Sequence, residues 1–143
     1  MLIGLITTIV LSIAFIFTIQ QRYLTEKKRE LYRQANTIAI SLVTTGYFSD
    51  EHNRSYLMTV QASVRGRGMI VDRNGSILFD SNHLDEGKSL VNPEVLSALR
   101  GKSSYSFLED MNIGVVTVPI VDVDYRTVLG AVVISDSFND ISY

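Results

Sequence analysis

Asp80, His83, Asp85 and Glu86 stand within seven residues of one another, and three carboxylates with an imidazole are donor types that ligate a divalent cation. The surrounding run, Ser81 to Ser89, is rich in Ser, Asn and Asp. It lacks the tight alternation of oxygen ligands that hard-cation loops show, so a solvated loop is the simpler account of the same residues. Patterns for catalysis are missing. There is no Ser-His-Asp spacing with an elbow, no pair of carboxylates on one apolar strand end and no Gly-rich phosphate loop. His52 falls near a helix start and His83 in a loop, and neither suits a phosphoacceptor in a helical dimerisation context.

Composition narrows the classes further. Of 143 residues 46% are apolar, none is Cys or Trp, and 13 basic against 15 acidic residues give a formal charge of -2. A disulfide framework, a thiolate zinc site and a cysteine nucleophile are excluded. No global positive field exists to neutralise phosphates, so nucleic acid is not an expected partner. After Ser103 six acidic residues face Arg126 alone, which makes that end locally negative. Solubility explains this, and so would cation bridges to anionic lipid if that end faced a membrane.

The elements that would carry these residues begin with an apolar stretch. Met1 to Ile19 has no charged side chain, and at about 1.5 Å per residue it spans roughly 28 Å, close to the hydrocarbon thickness of a bilayer. A basic leader and a small-x-small cleavage site are both absent, and a buried core helix is rarely apolar all round, so residues 1–19 read as a transmembrane helix. Five basic residues (Arg22, Lys27, Lys28, Arg29, Arg33) follow against Glu26 and Glu30. Charge alone would make that flank cytoplasmic, but with no second flank for comparison it leaves the orientation open.

Residues 20–46 continue the span as an amphipathic helix, because Leu31, Ala35, Ile38 and Leu42, widened by Tyr32 and Ala39, recur at helical spacing. This seam suits either the domain's own core or a second copy of the chain, and we assign it to a dimer seam. Ser49-Asp50-Glu51 opens a second helix with Leu57, Val60 and Val64 on one face, ending at Gly66 or Gly68. The period then changes. Gly68 to Asp72 and Ser76 to Asp80 read as strands around Arg73-Asn74-Gly75, where Asn-Gly supplies positive φ angles for a tight turn. Asn92-Pro93 opens a short helix with Val95, Leu96 and Leu99 on one face and Gly101 as its stop.

Three more strands follow: Ser103 to Leu108, Gly114 to Val121 and Thr127 to Ser135. Val116, Val118 and Ile120 share one face of the middle strand, and Val128, Val132 and Ile134 one face of the last. Residues 136–143 read as the start of a C-terminal helix. The fold class is α+β: an antiparallel sheet of about five strands over residues 47–135, with a short helix on one side and the long helix free to cover the other.

The run Arg67-Gly-Met-Ile-Val-Asp-Arg-Asn-Gly-Ser-Ile-Leu-Phe-Asp-Ser81 carries a resemblance, together with Gly87-Lys-Ser-Leu90, the helix from Asn92 to Gly101, Val118-Pro-Ile120 and Val128-Leu-Gly-Ala-Val-Val-Ile-Ser135. In order, over roughly Leu24 to Tyr143, these segments resemble the extracytoplasmic PAS-like sensor domains, called single Cache domains, of bacterial membrane receptors. The resemblance implies a domain outside the cytoplasmic membrane, between two membrane helices, most often in a two-component sensor histidine kinase and also in chemoreceptors and diguanylate cyclases. The second membrane span, the kinase core and the contact with a response regulator would then lie beyond Tyr143, and this chain would hold no catalytic site. By position in such a fold, a small organic ligand would meet Arg67, Asp80, Ser81, His83, Tyr105 and Thr117, with Arg67 able to grip a carboxylate. The competing reading fills that space with Phe79, Val116 and Ile134. A membrane-anchored scaffold and an anchored secreted enzyme are the rival functional classes.

Overall fold

The computed structural model describes residues 2–44, 66–122, 124 and 126–137. One uninterrupted helix, α1 (Leu2–Thr44), opens the chain. No proline or interior glycine after Gly4 breaks it. In its first half the hydroxyls turn inward: Thr7 Oγ1 donates to the Ile3 carbonyl at 2.6 Å, Thr8 to Gly4 at 2.8 Å, Ser12 to Thr8 at 2.9 Å and Thr18 to Ala14 at 2.8 Å. A helix satisfies hydroxyls in this way where no water is at hand. Leu2–Ile19 has a mean hydropathy of 2.6, and none of it is buried inside the protein. By length and composition the segment can cross a membrane.

The second half of α1 does the opposite. Leu31, Ala35, Ile38, Ala39 and Leu42 are all buried, packed with Ile70, Phe79, Val116, Val118, Ile120, Val132 and Ile134 of the sheet. The stripe assigned to a dimer seam is therefore the inward face of α1. An apolar sheet face must be covered, and this stripe covers the face that carries Val116, Val118, Ile120, Val132 and Ile134.

Among the described residues the sheet has five strands, β1 (Arg67–Asp72), β2 (Ile77–Asp80), β3 (Ser104–Leu108), β4 (Ile113–Asp122) and β5 (Thr127–Ser137), in the order β2-β1-β5-β4-β3 with every pairing antiparallel. On the face away from α1 lies α2 (Pro93–Leu99), capped by Asn92, whose side chain accepts from the Val95 N–H at 2.8 Å. Val71, Ile77, Val95 and Val133 form the smaller core there. At Gly130 the β1 backbone comes so close that a Cβ would stand 2.2 Å from the Val71 carbonyl oxygen, which only glycine permits.

Four details differ from the sequence reading. In the β1–β2 turn only Gly75 takes a positive φ (84°), and Asn74 does not; the Asp72 carboxylate holds the turn by accepting from the N–H groups of Asn74 (2.8 Å) and Ser76 (2.9 Å). In α2 the buried partner of Val95 is Ala98, while Leu96 is exposed. A bulge between Ile120 and Val121 shifts the facing register of β5, so Leu129 packs on the α1-side core and Val128 is only half-buried. Finally, β5 runs to Ser137, because Ile113 and Gly114 pair with Ser137 and Asp136, two residues that the sequence reading assigns to a C-terminal helix. The expected helix from Ser49 and residues 138–143 lie outside the described residues.

Burial along α1 predicts opposite costs for neighbouring positions. In the detergent-solubilised protein, Leu42→Ala should lower unfolding stability by about 2–5 kcal/mol, whereas Ile40→Ala, 64% exposed on the outer face, should stay within about 0.5 kcal/mol of wild type. Equal losses by chemical denaturation would contradict this packing.

Candidate functional site

The antiparallel pairing of β1 with β2 brings together two residues 13 apart in sequence. Arg67 opens β1, Asp80 closes β2, and the register sets Met69 opposite Asp80. The Arg67 guanidinium grips the Asp80 carboxylate with both arms, Nε to Oδ1 at 3.0 Å and Nη2 to Oδ2 at 2.6 Å, and reaches Asp85 Oδ2 at 2.7 Å. Asp80 is fully buried. Its oxygens also accept from the backbone N–H groups of Asn82 (3.0 Å), Leu84 (3.3 Å) and Asp85 (3.1 Å), so one carboxylate winds the chain beyond β2 into a turn.

The rest of the loop closes on the strand edge. Ser81 exchanges bonds with Gly68, its N–H donating to the carbonyl at 2.9 Å and its Oγ accepting from the N–H at 3.0 Å. Glu86 Oε1 takes the Asp80 N–H at 3.3 Å and lies 3.0 Å from His83 Nδ1, while the His83 ring meets Phe79 edge-on at 6.1 Å. Gly87, at φ 84°, turns the chain so that the Lys88 carbonyl accepts from Ile77 at 2.8 Å. Lys88 Nζ adds a bond to Asp85 Oδ1 at 3.0 Å.

Electrostatics follow the geometry. The two-armed bond from Arg67 holds the Asp80 carboxyl well below the usual carboxylate range, against burial, with the turn's N–H groups helping. Asp85 is lowered too, first by Arg67 and then by Lys88. This assembly is a latch. Asp80 and Asp85 face a guanidinium, His83 and Glu86 face each other, and among the described residues no three such groups converge as a cation site would require. The four-residue cation set is thus divided between the Arg67 guanidinium and the His83–Glu86 contact.

The expected ligand residues divide as well. Tyr105 faces α1: it packs on the α1-side core and lies under Lys28 Nζ, 4.8 Å from the ring centroid, and burial pushes its phenol pKa up, with Tyr32 adding to the rise. Thr117 lies on the opposite face. The registers place Asp80, Met69, Val133, Thr117 and Ser104 in one row across all five strands, on the side that carries α2. Thr117 is 1% exposed, and Ser104 Oγ is buried with no hydrogen-bond partner among the described residues. Two pairs further along β3, on the same face, Ser106 Oγ donates to Glu94 Oε1 of α2 at 3.1 Å. A buried hydroxyl left unbonded costs on the order of 1–3 kcal/mol, which a bound polar group would recover.

Sequence reasoning missed Ser104 and the Ser106–Glu94 contact. Their signal was the β3–β4 pairing, readable only once the register of that hairpin is known. The charge pair bracketing the first hairpin, Arg67 before it and Asp80 at its end, was visible and points to the latch rather than to a free guanidinium.

No protein-family model matches the chain, and no curated protein matches it. Solved structures do. The E. coli DcuS sensor domain superimposes with a TM-score of 0.62 at 16% identity, over 78% of this chain and 89% of that one. The sensor domain of the V. cholerae histidine kinase DctB gives a TM-score of 0.51 at 18% identity over 82% of this chain, which spans 57% of that domain. At such identities the likeness establishes the fold, the α+β PAS-like architecture of these Cache-type sensor domains.

Removing one member of the latch strands the other charge in a buried place, so Arg67→Ala should cost about 3–5 kcal/mol. The acid limb carries the sign. Asp80 has a folded-state pKa below its unfolded value of about 3.9, so its stabilisation is complete above that pH and lost as pH falls beneath it. Urea melts from neutral pH to strongly acidic conditions should show a shallower acid limb for Asp80→Asn than for wild type. Parallel limbs would remove Asp80 from the account.

Proposed function

We propose that this chain is the extracytoplasmic signal-input region of a membrane-bound two-component sensor histidine kinase. The observation that supports it best is the division of α1. One rigid helix offers an exposed, uncharged half to lipid and commits its other half to the core of a sensor-type domain. The fold it shares with the sensor domains of DcuS and of the histidine kinase DctB points the same way.

In this reading the span Leu2–Ile19 anchors the domain at the cell membrane, and a shift of the sheet relative to α1 passes along the helix to a kinase core elsewhere in the protein, and from there to a response regulator. Such a shift needs a ligand with different affinity for two arrangements; equal affinity moves nothing. A small organic molecule bearing hydrogen-bonding groups suits the α2 face, where Thr117 and Ser104 supply hydroxyls and Met69 and Val133 an apolar floor. Pairing of two copies would use the outer face of α1 around Arg33, Asn36 and Ile40, all exposed, since the inner stripe is spent on the core.

A thermal-shift screen of the intact chain in nanodiscs with organic acids, amino acids and divalent metals tests the reading. A true ligand at a hundred times its dissociation constant should stabilise the domain by about 2.7 kcal/mol, and Thr117→Val should reduce that shift without abolishing folding. A ligand whose shift is untouched by Thr117→Val would move the site elsewhere, and no shift with any compound would contradict small-molecule sensing on this face.

A further inference from the structure

The β3–β4 hairpin ends in an exposed apolar tip at an unexpected level of the molecule. Leu108 is 46% and Met111 63% exposed, and they flank Glu109 and Asp110 in a turn closed by the Asn112 N–H donating to the Glu109 carbonyl at 3.3 Å. Asn112 there takes a φ of 55°. Two contacts fix the height of this turn relative to α1. Lys27 Nζ bonds Asp136 Oδ2 at 3.0 Å, and Asp136 pairs with Gly114, which pairs with Phe107. Lys28 lies over Tyr105, which pairs with Val116. As α1 leaves Ile19, β4 therefore ascends beside it, with its first residues and the turn before them nearest the apolar end of the helix.

Lys27 follows Ile19 by eight residues, about 12 Å along the helix. The turn lies beyond the Leu108–Ile113 pair, itself one pair beyond the Lys27–Asp136 level, so its apex reaches roughly 7 Å back toward the apolar end. About 5 Å then separates it from the end of the span. A bilayer's headgroup layer is roughly 6 Å thick on each side of the hydrocarbon.

We propose that the β3–β4 hairpin tip rests in the headgroup layer of the lipid bilayer, with Met111 inside that layer, Leu108 at its outer margin and Glu109 and Asp110 meeting the ammonium groups of zwitterionic lipid. The inference rests on the membrane reading of α1. The tip is an attachment additional to α1, so helix and hairpin together constrain the tilt of the domain. Carboxylates beside the apolar residues hold the tip at the surface and out of the hydrocarbon.

The chain contains no cysteine, so single-cysteine variants of the whole chain label cleanly. Ile9→Cys, Leu108→Cys, Met111→Cys and Asp124→Cys, the last on the turn at the far end of β4, would carry a fluorophore in phosphatidylcholine nanodiscs with nitroxide on either the headgroup or the acyl chain. The expected result is strong loss of fluorescence at Ile9 with the acyl nitroxide, strong loss at Leu108 and Met111 with the headgroup nitroxide, and none at Asp124 with either. Quenching at Ile9 without quenching at Leu108 and Met111 overturns the hairpin proposal and leaves the anchor standing. Absence of quenching at Ile9 overturns the anchor and the proposal together. Leu108 and Met111 shielded from aqueous iodide yet out of reach of the headgroup nitroxide would assign the tip to a protein partner and overturn the lipid contact.

Discussion

The contact of α1 with the sheet is the constraint from which the remaining architecture follows. Leu31, Ala35, Ile38, Ala39 and Leu42 interlock with β4, β5 and the inner strands, and each large side chain so buried contributes about 1.5–3 kcal/mol. Such an interface is close-packed and does not slide smoothly; it changes between discrete arrangements. At the lower end the partly shielded Lys27–Asp136 pair and the stacking of Lys28 on Tyr105 tie the same helix to β5 and β3. Both contacts lie within nine residues of the end of the apolar segment.

The latch at the opposite edge answers a different requirement. A carboxylate as deeply buried as Asp80 is tolerable only when charge and hydrogen bonds are both satisfied. Arg67 supplies the charge, and the turn of Asn82, Leu84 and Asp85 supplies the N–H groups. In return the loop between β2 and α2 gains a fixed shape along the sheet edge, with Ser76 bridging to Ser89. Asp80 also stands at the end of the row that crosses the sheet on the α2 side, so the carboxylate that orders this loop is the first member of that row.

Much of this was legible in the sequence, for reasons that can be named. The apolar stretch, the helical stripe after it, the strand alternation and the Asn92-Pro93 start all express local preferences that no tertiary contact overrode. The destination of the Leu31 to Leu42 stripe was not local: the spacing that packs a helix on a sheet also packs it on a twin, and the choice is seen only where the stripe meets the apolar face of β4 and β5. The cation set failed for a similar reason. Asp80, His83, Asp85 and Glu86 are close in sequence, but Arg67 arrives from a neighbouring strand and takes two of the carboxylates. The division of Tyr105 from Thr117 depended on register, since one residue of slip exchanges the faces.

The central claim is mechanical continuity: the apolar half of α1 and its core half are one rigid rod. Nitroxides placed at Ile9 and Ile40, both exposed, measure it directly by pulsed electron–electron resonance in nanodiscs. An unbroken helix of 31 intervening steps predicts a single narrow distance near 46 Å, at about 1.5 Å per residue. A broad distribution centred at shorter distances would mean that the rod is hinged between membrane and domain, and the account of signal transfer would be contradicted.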